Sequence, residues 1–394
     1  MILILLFLLA AWVLTFIVIR ERLYSGSRLN FLAVITLQAI LNLLLLYYLI
    51  MIVTYKGDFD EPANIWHRTA IMGLFFALVV PEFLIILFHF TGKLLRFKRK
   101  GYIKPLTDLA LWLSAILLLA IAGGTFAGRF NFRVEKVDIA IKDLPRGLDS
   151  LTIVQISDLH LASFYGKQEK LREAVRITNS LEPDLIFNTG DFVTYGSGEF
   201  GHCDTILARE RSRYGKFAVL GNHDMGTYMP EASQEWKIRN IEKITGLAGK
   251  SGYVVLKNEN TTIDINGVKV AIIGVTTSGR HPEIIHGNVK ESMAGTDSSD
   301  FRILLAHDPN QWEAEVAGKA DIDLTLSGHT HGMQIGIITR IFRWSPSKYF
   351  YPHWNGLYRE GNQYHYVNRG LGLLAIPFRI WMPPEITLIK LIKE

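Results

Sequence analysis

The front of this chain is written in long apolar runs, and those runs constrain its fold more than anything that follows. Ile2 to Ile19 is almost entirely apolar, Phe31 to Val53 is interrupted by few polar residues, and Ala70 to Phe90 and Leu109 to Ala127 continue the pattern. Each run approaches the roughly 20 residues that a helix needs to cross the hydrocarbon core of a bilayer. Within hydrocarbon a lone segment must satisfy its own backbone N–H and C=O groups, and a helix does so. An all-α region of about four transmembrane helices is therefore expected, over residues 2–19, 31–53, 70–90 and 109–127. The first run lacks a basic n-region and a clear small-residue cleavage site and is followed by three more, so it reads as a retained helix rather than a secretory signal. Pro81 and Glu82 fall inside the third run; Glu82 and His89 inside a bilayer would suit a lipid or ion site, but the plainer reading sets Glu82 against neighbouring helices beside a Pro81 kink, with His89 near the interface.

Basic residues orient the region. Arg20, Arg22 and Arg28 flank the first connection, and Lys93, Arg96, Lys98, Arg99, Lys100 and Lys104 crowd the third, whereas the second, from Lys56 to Arg68, carries Asp58, Asp60 and Glu61. The positive-inside rule keeps the first and third connections cytoplasmic and sends whatever follows the fourth helix to the outer side, against a weak counter-vote from Arg129, Arg133 and Lys136. The net charge of +5 needs no nucleic acid to explain it, because the densest basic run is juxtamembrane and suits anionic lipid. Cys203 is the only cysteine, which excludes an intramolecular disulfide.

Hydrophobicity drops between Gly123 and Arg133, where a membrane domain of residues 1–128 gives way to a second domain over 133–394. That domain opens on the strand-like Val134 to Ile141 and then repeats one pattern. Short apolar, partly β-branched runs (Leu151–Ile156, Leu185–Phe187, Phe217–Leu220, Ile303–Ala306, Ile322–Leu326) read as buried strands. Each is followed by a polar segment: Asp158-Leu159-His160, Gly190-Asp191, Gly221-Asn222-His223-Asp224, His307, and Gly328-His329-Thr330-His331. Together they offer three carboxylates, one Asn and five imidazoles, enough to hold two divalent metals and leave a histidine for proton transfer. Ligands just beyond strand ends sit on loops held by a rigid sheet and can converge, and Gly190, Gly221 and Gly328 allow sharp turns and close approach. Between the first two segments, Leu171, Val175 and Leu181 fall on one helical face within Lys167 to Leu181.

The ordered set D-x-H, G-D, G-N-H-D, H, G-H-x-H resembles the calcineurin-like metallophosphoesterases, over roughly residues 133–394. The resemblance implies an α+β four-layer αββα sandwich and a dinuclear centre. It assigns Asp158, His160 and His331 to the first metal, Asn222, His307 and His329 to the second, and Asp191 to both. A carboxylate spreads its two oxygens over two cations, which an imidazole cannot do. Mixed N and O ligation without thiolate suits Mn, Fe or Zn. The expected chemistry is attack of metal-activated hydroxide on a phosphoester, of phosphodiester or pyrophosphate type, with His223 protonating the leaving alkoxide and Asp224 or another carboxylate orienting its ring.

Any one of these segments alone is ordinary turn chemistry or a capped surface histidine; the ordered combination defeats that reading. His202, His281, His286, His353 and His365 belong to no such combination and are expected to be ordinary solvated or packed residues. Ile341 to Tyr358 is loaded with aromatics, which suit a hydrophobic wall beside the metals, a surface that dips into headgroups, or a buried hairpin. The tail, Asn368-Arg369-Gly370-Leu371-Gly372 followed by Pro383-Pro384-Glu385-Ile386, is similar to that of the membrane-associated bacterial branch of the superfamily. Some members in or near that branch act on lipid-linked phosphoesters, including as UDP-diacylglucosamine pyrophosphatases. The resemblance thus implies a lipid or cell-envelope precursor as substrate, membrane lipids as neighbours, and a bacterial inner or plasma membrane, and the basic connections put the catalytic domain on its outer side. A sensor module should have lost ligands, and a transporter with an accessory domain should carry more intramembrane charge or an inverted repeat.

Overall fold

The computed structural model describes residues 2–24, 26–96, 103–277, 287–339 and 341–394. The basic Lys98, Arg99 and Lys100, and His281 and His286, lie outside the described residues. The chain forms two compact units: one of residues 1–56, 67–126 and 375–378, the other of residues 57–66, 127–374 and 379–394.

The first unit is built on four helices: α1 (Ile2–Ile19), α2 (Arg28–Thr54), α3 (Pro62–Arg96) and α4 (Ile103–Gly123). Among the described residues three stretches, Arg28–Thr54, Pro62–Leu95 and Lys104–Gly128, are long and apolar enough to cross a membrane. The 18-residue α1 covers the run expected to be the first span. Helix α3 extends well beyond the apolar Ala70 to Phe90, because Pro62 provides a favourable first helical residue and the chain continues through Pro81 into the polar Lys93. The few polar side chains pair: Gln38 Nε2 donates to Glu82 Oε1 at 2.7 Å, and Arg22 meets Asp108 at 2.6 Å. Large apolar residues such as Leu43, Phe83, Trp112 and Leu119 face outward, as a lipid-facing surface requires.

The second unit is a two-sheet sandwich. Its strands are β1 (Arg133–Ile141), β2 (Thr152–Ile156), β3 (Leu185–Asn188), β4 (Lys216–Ala218), β5 (Tyr253–Val255), β6 (Glu259–Ile265), β7 (Val268–Val275), β8 (Phe301–Ala306), β9 (Leu324–Ser327), the small hairpin β10 (Ile337–Ile338) and β11 (Arg343–Trp344), β12 (Gly356–Glu360), β13 (Gln363–Val367) and β14 (Glu385–Lys393). One sheet runs β1-β14-β2-β3-β4-β5, the other β12-β13-β9-β8-β7-β6. In the first, β2 to β5 are mutually parallel and β14 runs antiparallel to β2; in the second, β13, β9, β8 and β7 are parallel between antiparallel edges. Inward faces meet in a core that includes Ile153, Phe187, Phe217, Ile272, Ile303 and Leu326. The first sheet's outer face packs Val154, Ile156 and Ile186 against α5 (Gln168–Ser180), α6 (Cys203–Leu207) and α7 (Gln234–Lys250). On the other outer face Ile273 and Leu304 meet Trp312 and Val316. Strands buried on both faces explain the near-continuous apolar runs.

Residues 57–66 complete this unit. Phe59 packs edge-on against Tyr195 with ring centroids 4.9 Å apart, Gly198 N donates to Asp60 Oδ2 at 2.9 Å, and the Arg129 guanidinium lies 4.2 Å from the Trp66 ring.

Candidate metal centre

Five parallel strands deliver the candidate ligands from their carboxyl ends. Asp158 and His160 follow β2, Asp191 follows β3, Asn222 follows β4, His307 follows β8, and His329 and His331 follow β9, so the site straddles both sheets along one edge. The loops are tied together by backbone bonds: Asp158 N donates to the Gly190 carbonyl at 2.8 Å, and His160 N to the Asp191 carbonyl at 3.1 Å. The carboxylates also order the loops, since His223 N donates to Asp191 Oδ1 at 2.9 Å and His329 N to Asp158 Oδ1 at 3.0 Å. Glycine is required where they converge. A Cβ on Gly221 would lie 2.1 Å from Asp191 Oδ1, and one on Gly328 would lie 2.4 Å from Asp158 Oδ2.

Two clusters of ligand atoms result, Asp158 with His160 and His331, and Asp191 with His307 and His329; within each, the atoms lie within 4.8 Å of one another. Asp191 Oδ2 lies between them, 3.1 Å from His307 Nε2 and 3.7 Å from His160 Nε2. Asn222 lies on the adjoining loop, and its buried Oδ1 has no hydrogen-bond partner among the described residues, although its Nδ2 donates to Tyr228 Oη at 3.0 Å. The donor set therefore fits two divalent cations: carboxylate and imidazole atoms converge, and an amide oxygen stands ready as a further donor.

The outer nitrogens of the imidazoles are held, which fixes ring orientation. His307 Nδ1 lies 2.7 Å from the Thr189 carbonyl, so it carries the proton there and Nε2 turns toward Asp191. His160 Nδ1 lies 3.1 Å from Thr194 Oγ1, and His331 Nδ1 lies 3.5 Å from the buried Arg379 guanidinium. Charge balance follows. Burial raises the Asp191 carboxyl, but His307 and His223 more than offset this and hold it well below the ordinary range. Burial lowers the His307 imidazole, yet Asp191 and then Asp158 overcome it and hold it up at about 10. The buried carboxylates thus demand positive charge, which divalent cations would supply.

His223 stacks on Tyr228 with centroids 4.2 Å apart, and its Nδ1 lies 2.7 Å from the Thr194 carbonyl. This corrects the expected partner: Asp224 does not orient the ring. Its Oδ1 accepts from Val193 N at 3.1 Å and its Oδ2 from Gly221 N at 2.9 Å, so it clamps the Asp191 and Asn222 loops together. Burial, then neighbouring Asp191, push its carboxyl well above the ordinary range.

Several contributing residues carry no motif. Thr194 touches both His160 and His223, and its loop is organised by Glu199, whose Oε1 accepts from Thr194 N at 2.7 Å and Tyr195 N at 2.6 Å. Tyr351 Oη lies 2.9 Å from His329 Nε2; it comes from the aromatic-rich segment, the one sequence signal that pointed to it. That segment is divided: Trp354 is buried, while Ile341, Phe342, Tyr349 and Phe350 are exposed. The excluded His365 packs between Trp312 and His353 and lies 2.9 Å from Ser327 Oγ, away from both clusters.

Residues 151–333 match the family described as calcineurin-like phosphoesterase. An uncharacterized metallophosphoesterase of Bacillus subtilis (strain 168), YkuE, is 31% identical over 271 residues, which cover 66% of this chain and 85% of that protein. The chain belongs to the calcineurin-like phosphoesterase family. A Danio rerio transmembrane protein with metallophosphoesterase domain is 30% identical over 72% of this chain and 62% of its own length. An uncharacterized metallophosphoesterase of Aquifex aeolicus (strain VF5) is 27% identical over 66% of the chain and 92% of that protein. Membership of this family makes the chain a metal-dependent phosphoester hydrolase, with a metallophosphoesterase sandwich behind an apolar helical region.

Proposed function

We propose that this chain is a membrane-anchored phosphoesterase with two divalent metals, hydrolysing a phosphodiester or pyrophosphate bond in a lipid or cell-envelope precursor. Residues 1–128 form its membrane domain in this reading, and residues 133–394, with residues 57–66 packed into them, its catalytic domain. The observation that carries it is Asp191 Oδ2, set between His307 Nε2 at 3.1 Å and His160 Nε2 at 3.7 Å. Asp158, His160 and His331 would hold one metal, Asn222, His307 and His329 the other, with Asp191 on both.

When bound, such a pair activates water and polarises the phosphoryl oxygens. The protein's own residues do the rest. His223 gives its Nδ1–H to the Thr194 carbonyl, which leaves Nε2 to exchange a proton with the leaving oxygen. Asp224 keeps the Gly221 and Val193 backbones in register, so that Asn222 and Asp191 approach from fixed directions. Tyr351, hydrogen-bonded to His329, links the metal edge to a segment whose Phe342, Tyr349 and Phe350 are exposed, as is Trp381. Such a surface supports an amphiphilic substrate, since Trp and Tyr favour the interface between water and lipid.

The first test is metal-dependent turnover of an aryl phosphodiester by the full chain, followed by a panel of phospholipids and nucleotide-linked lipids. Activity that survives exhaustive chelation, or metal analysis that finds one occupied site after reloading, ends the dinuclear reading. The basic first and third connections support an extracytoplasmic site. An alkaline phosphatase fusion after Arg133 is expected to be active, and a fluorescent protein that matures only in the cytoplasm is expected to be dark at the same point. The reverse pattern would move the substrate to the cytoplasmic face.

A further inference from the structure

Within the helical unit, a cavity of about 420 Å³ lies between α1, α2, α3 and α4. Most of its wall is aliphatic, with Val34, Leu37, Leu41, Leu78 and Leu118 among the lining residues. Polar side chains break that wall, and four of them are nearly inaccessible: Gln38 is 7% exposed, Glu82 5%, Ser114 4% and Thr15 2%. Gln38 commits its Nε2 to Glu82, but its Oε1 has no hydrogen-bond partner among the described residues, and neither does Thr15 Oγ1. Pro81, also on the wall, has no N–H to give the carbonyl of Ala77, another lining residue, so a further acceptor loses its ordinary helical donor.

Unmet acceptors in hydrocarbon are costly, because no water is present to complete them. A ligand that supplies a donor relieves that cost. Among the described residues the lining contains no Lys or Arg, and it contains Glu82 and Asp108, the latter already paired with Arg22, so a phosphate or carboxylate head would be desolvated beside acids with no free counter-charge. Asn30 lines the cavity eight residues before Gln38 on α2, so the cavity reaches about 12 Å along the helix axis. That length accommodates an uncharged head together with the start of an apolar chain.

We propose that this cavity is a binding site for a lipid alcohol, an uncharged amphiphile whose hydroxyl donates to Gln38 Oε1 while its hydrocarbon lies against α2, α3 and α4. The site is independent of the phosphoester substrate. It gives the helical unit a ligand of its own rather than anchorage alone.

The test uses the full chain in phosphatidylcholine nanodiscs and a diacylglycerol probe carrying a diazirine and an alkyne in one acyl chain. A phosphatidylcholine probe with the same acyl chain is the control. Saturable labelling of peptides containing Leu37, Leu78 or Leu118 is expected, with competition by dioctanoylglycerol and at least tenfold preference over the control probe. Loss of one hydrogen bond in Gln38→Leu should reduce competition by about fivefold. Ala115 lines the cavity from α4, and Ala115→Phe, which fills the cavity and keeps Gln38, should abolish specific labelling; it serves as the test if Gln38→Leu leaves the parent's size-exclusion peak. Labelling spread equally over outward residues such as Phe83 and Leu119, equal labelling by both probes, or unchanged competition in Ala115→Phe would overturn the proposal. Stronger competition by a long-chain amine than by dioctanoylglycerol would also overturn it, because the acids would then be the recognition element.

Discussion

The two units of this chain hold their polar residues in opposite ways. In the catalytic unit Asp158, His160, Asp191, His329 and His331 all have left-handed backbones, with φ of 50°, 38°, 56°, 72° and 50°. Non-glycine residues in that region carry a cost on the order of 1–3 kcal/mol each and persist when surrounding structure over-determines them. Here the determinants are the ends of β2, β3 and β9 and the bonds between their loops. On the four helices of the other unit no described residue has positive φ, Ala375 at 63° lying outside them, and the Gln38–Glu82 pair sits on regular helices. Backbone strain at the ligands marks where geometry is fixed for chemistry; regular helices leave most side chains open to exchange for others of similar hydrophobicity.

The largest effect that follows from this contrast belongs to Asp191. Asp191→Asn keeps the side-chain shape and an oxygen for His223 N but removes the charge between the two clusters, so turnover should fall on the order of 10³-fold or more with the fold intact. Near-native activity at saturating metal would show that the strained loop does not place a bridging ligand. His223→Ala comes next. Metal content should be retained, and hydrolysis should slow by about 10²–10⁴-fold for an alkyl ester but far less for an activated aryl ester, because a basic alkoxide needs the proton more. Equal losses on both would assign the ring to phosphate binding.

How far the sequence foretold this structure differs between the units for the same physical reason. Strand runs ending in Asp, Asn and His were legible because a strand buried on both faces must be apolar and its break is abrupt. The partner of His223 was not, since the Thr194 carbonyl belongs to the backbone and leaves no trace in residue identity. Glu199 and Arg379 were equally silent, because each acts through backbone groups brought near by the fold. The packing of residues 57–66 into the catalytic unit was invisible for another reason: Asp60 and Gly198 are far apart in the chain, and nothing local announces their meeting. Apolar composition announced helices, but not the length of α3 or the Gln38–Glu82 pair.

A smaller effect sharpens the contrast through pH. Burial, only partly opposed by four backbone N–H donors, lifts the Glu199 carboxyl from 4.5 to about 7. The folded state therefore binds the proton more tightly than the unfolded chain. Its stability should fall as pH rises from about 4.5 to about 7 and level off above, by on the order of 3 kcal/mol from this group alone. Glu199→Gln keeps an acceptor for Thr194 and Tyr195 and cannot ionise, so thermal unfolding of the catalytic unit should lose that slope. An unchanged slope in the variant would mean that another group titrates. Glu199→Ala should lower stability at every pH, having removed the acceptor as well.

The smallest effect on catalysis is expected in the helical unit, and it tests whether the two kinds of polar placement are separable. Glu82→Leu removes the acceptor of Gln38 Nε2 and leaves a second unmet group on that amide, costing the helical unit about 1–3 kcal/mol. Replacing both residues by Leu removes the unmet groups together and should recover most of that loss, since an apolar pair often replaces a buried polar pair without penalty. The coupling appears as non-additivity in a double-mutant cycle on unfolding. Through Gln38→Leu, Glu82→Leu and the double variant, turnover of a soluble aryl phosphodiester should stay within about twofold of the parent, because no residue changed lies on a strained ligand loop. If turnover instead follows helical stability step for step, the ligand loops depend on the helices for their shape, and strain at strand ends is not by itself what fixes the catalytic geometry.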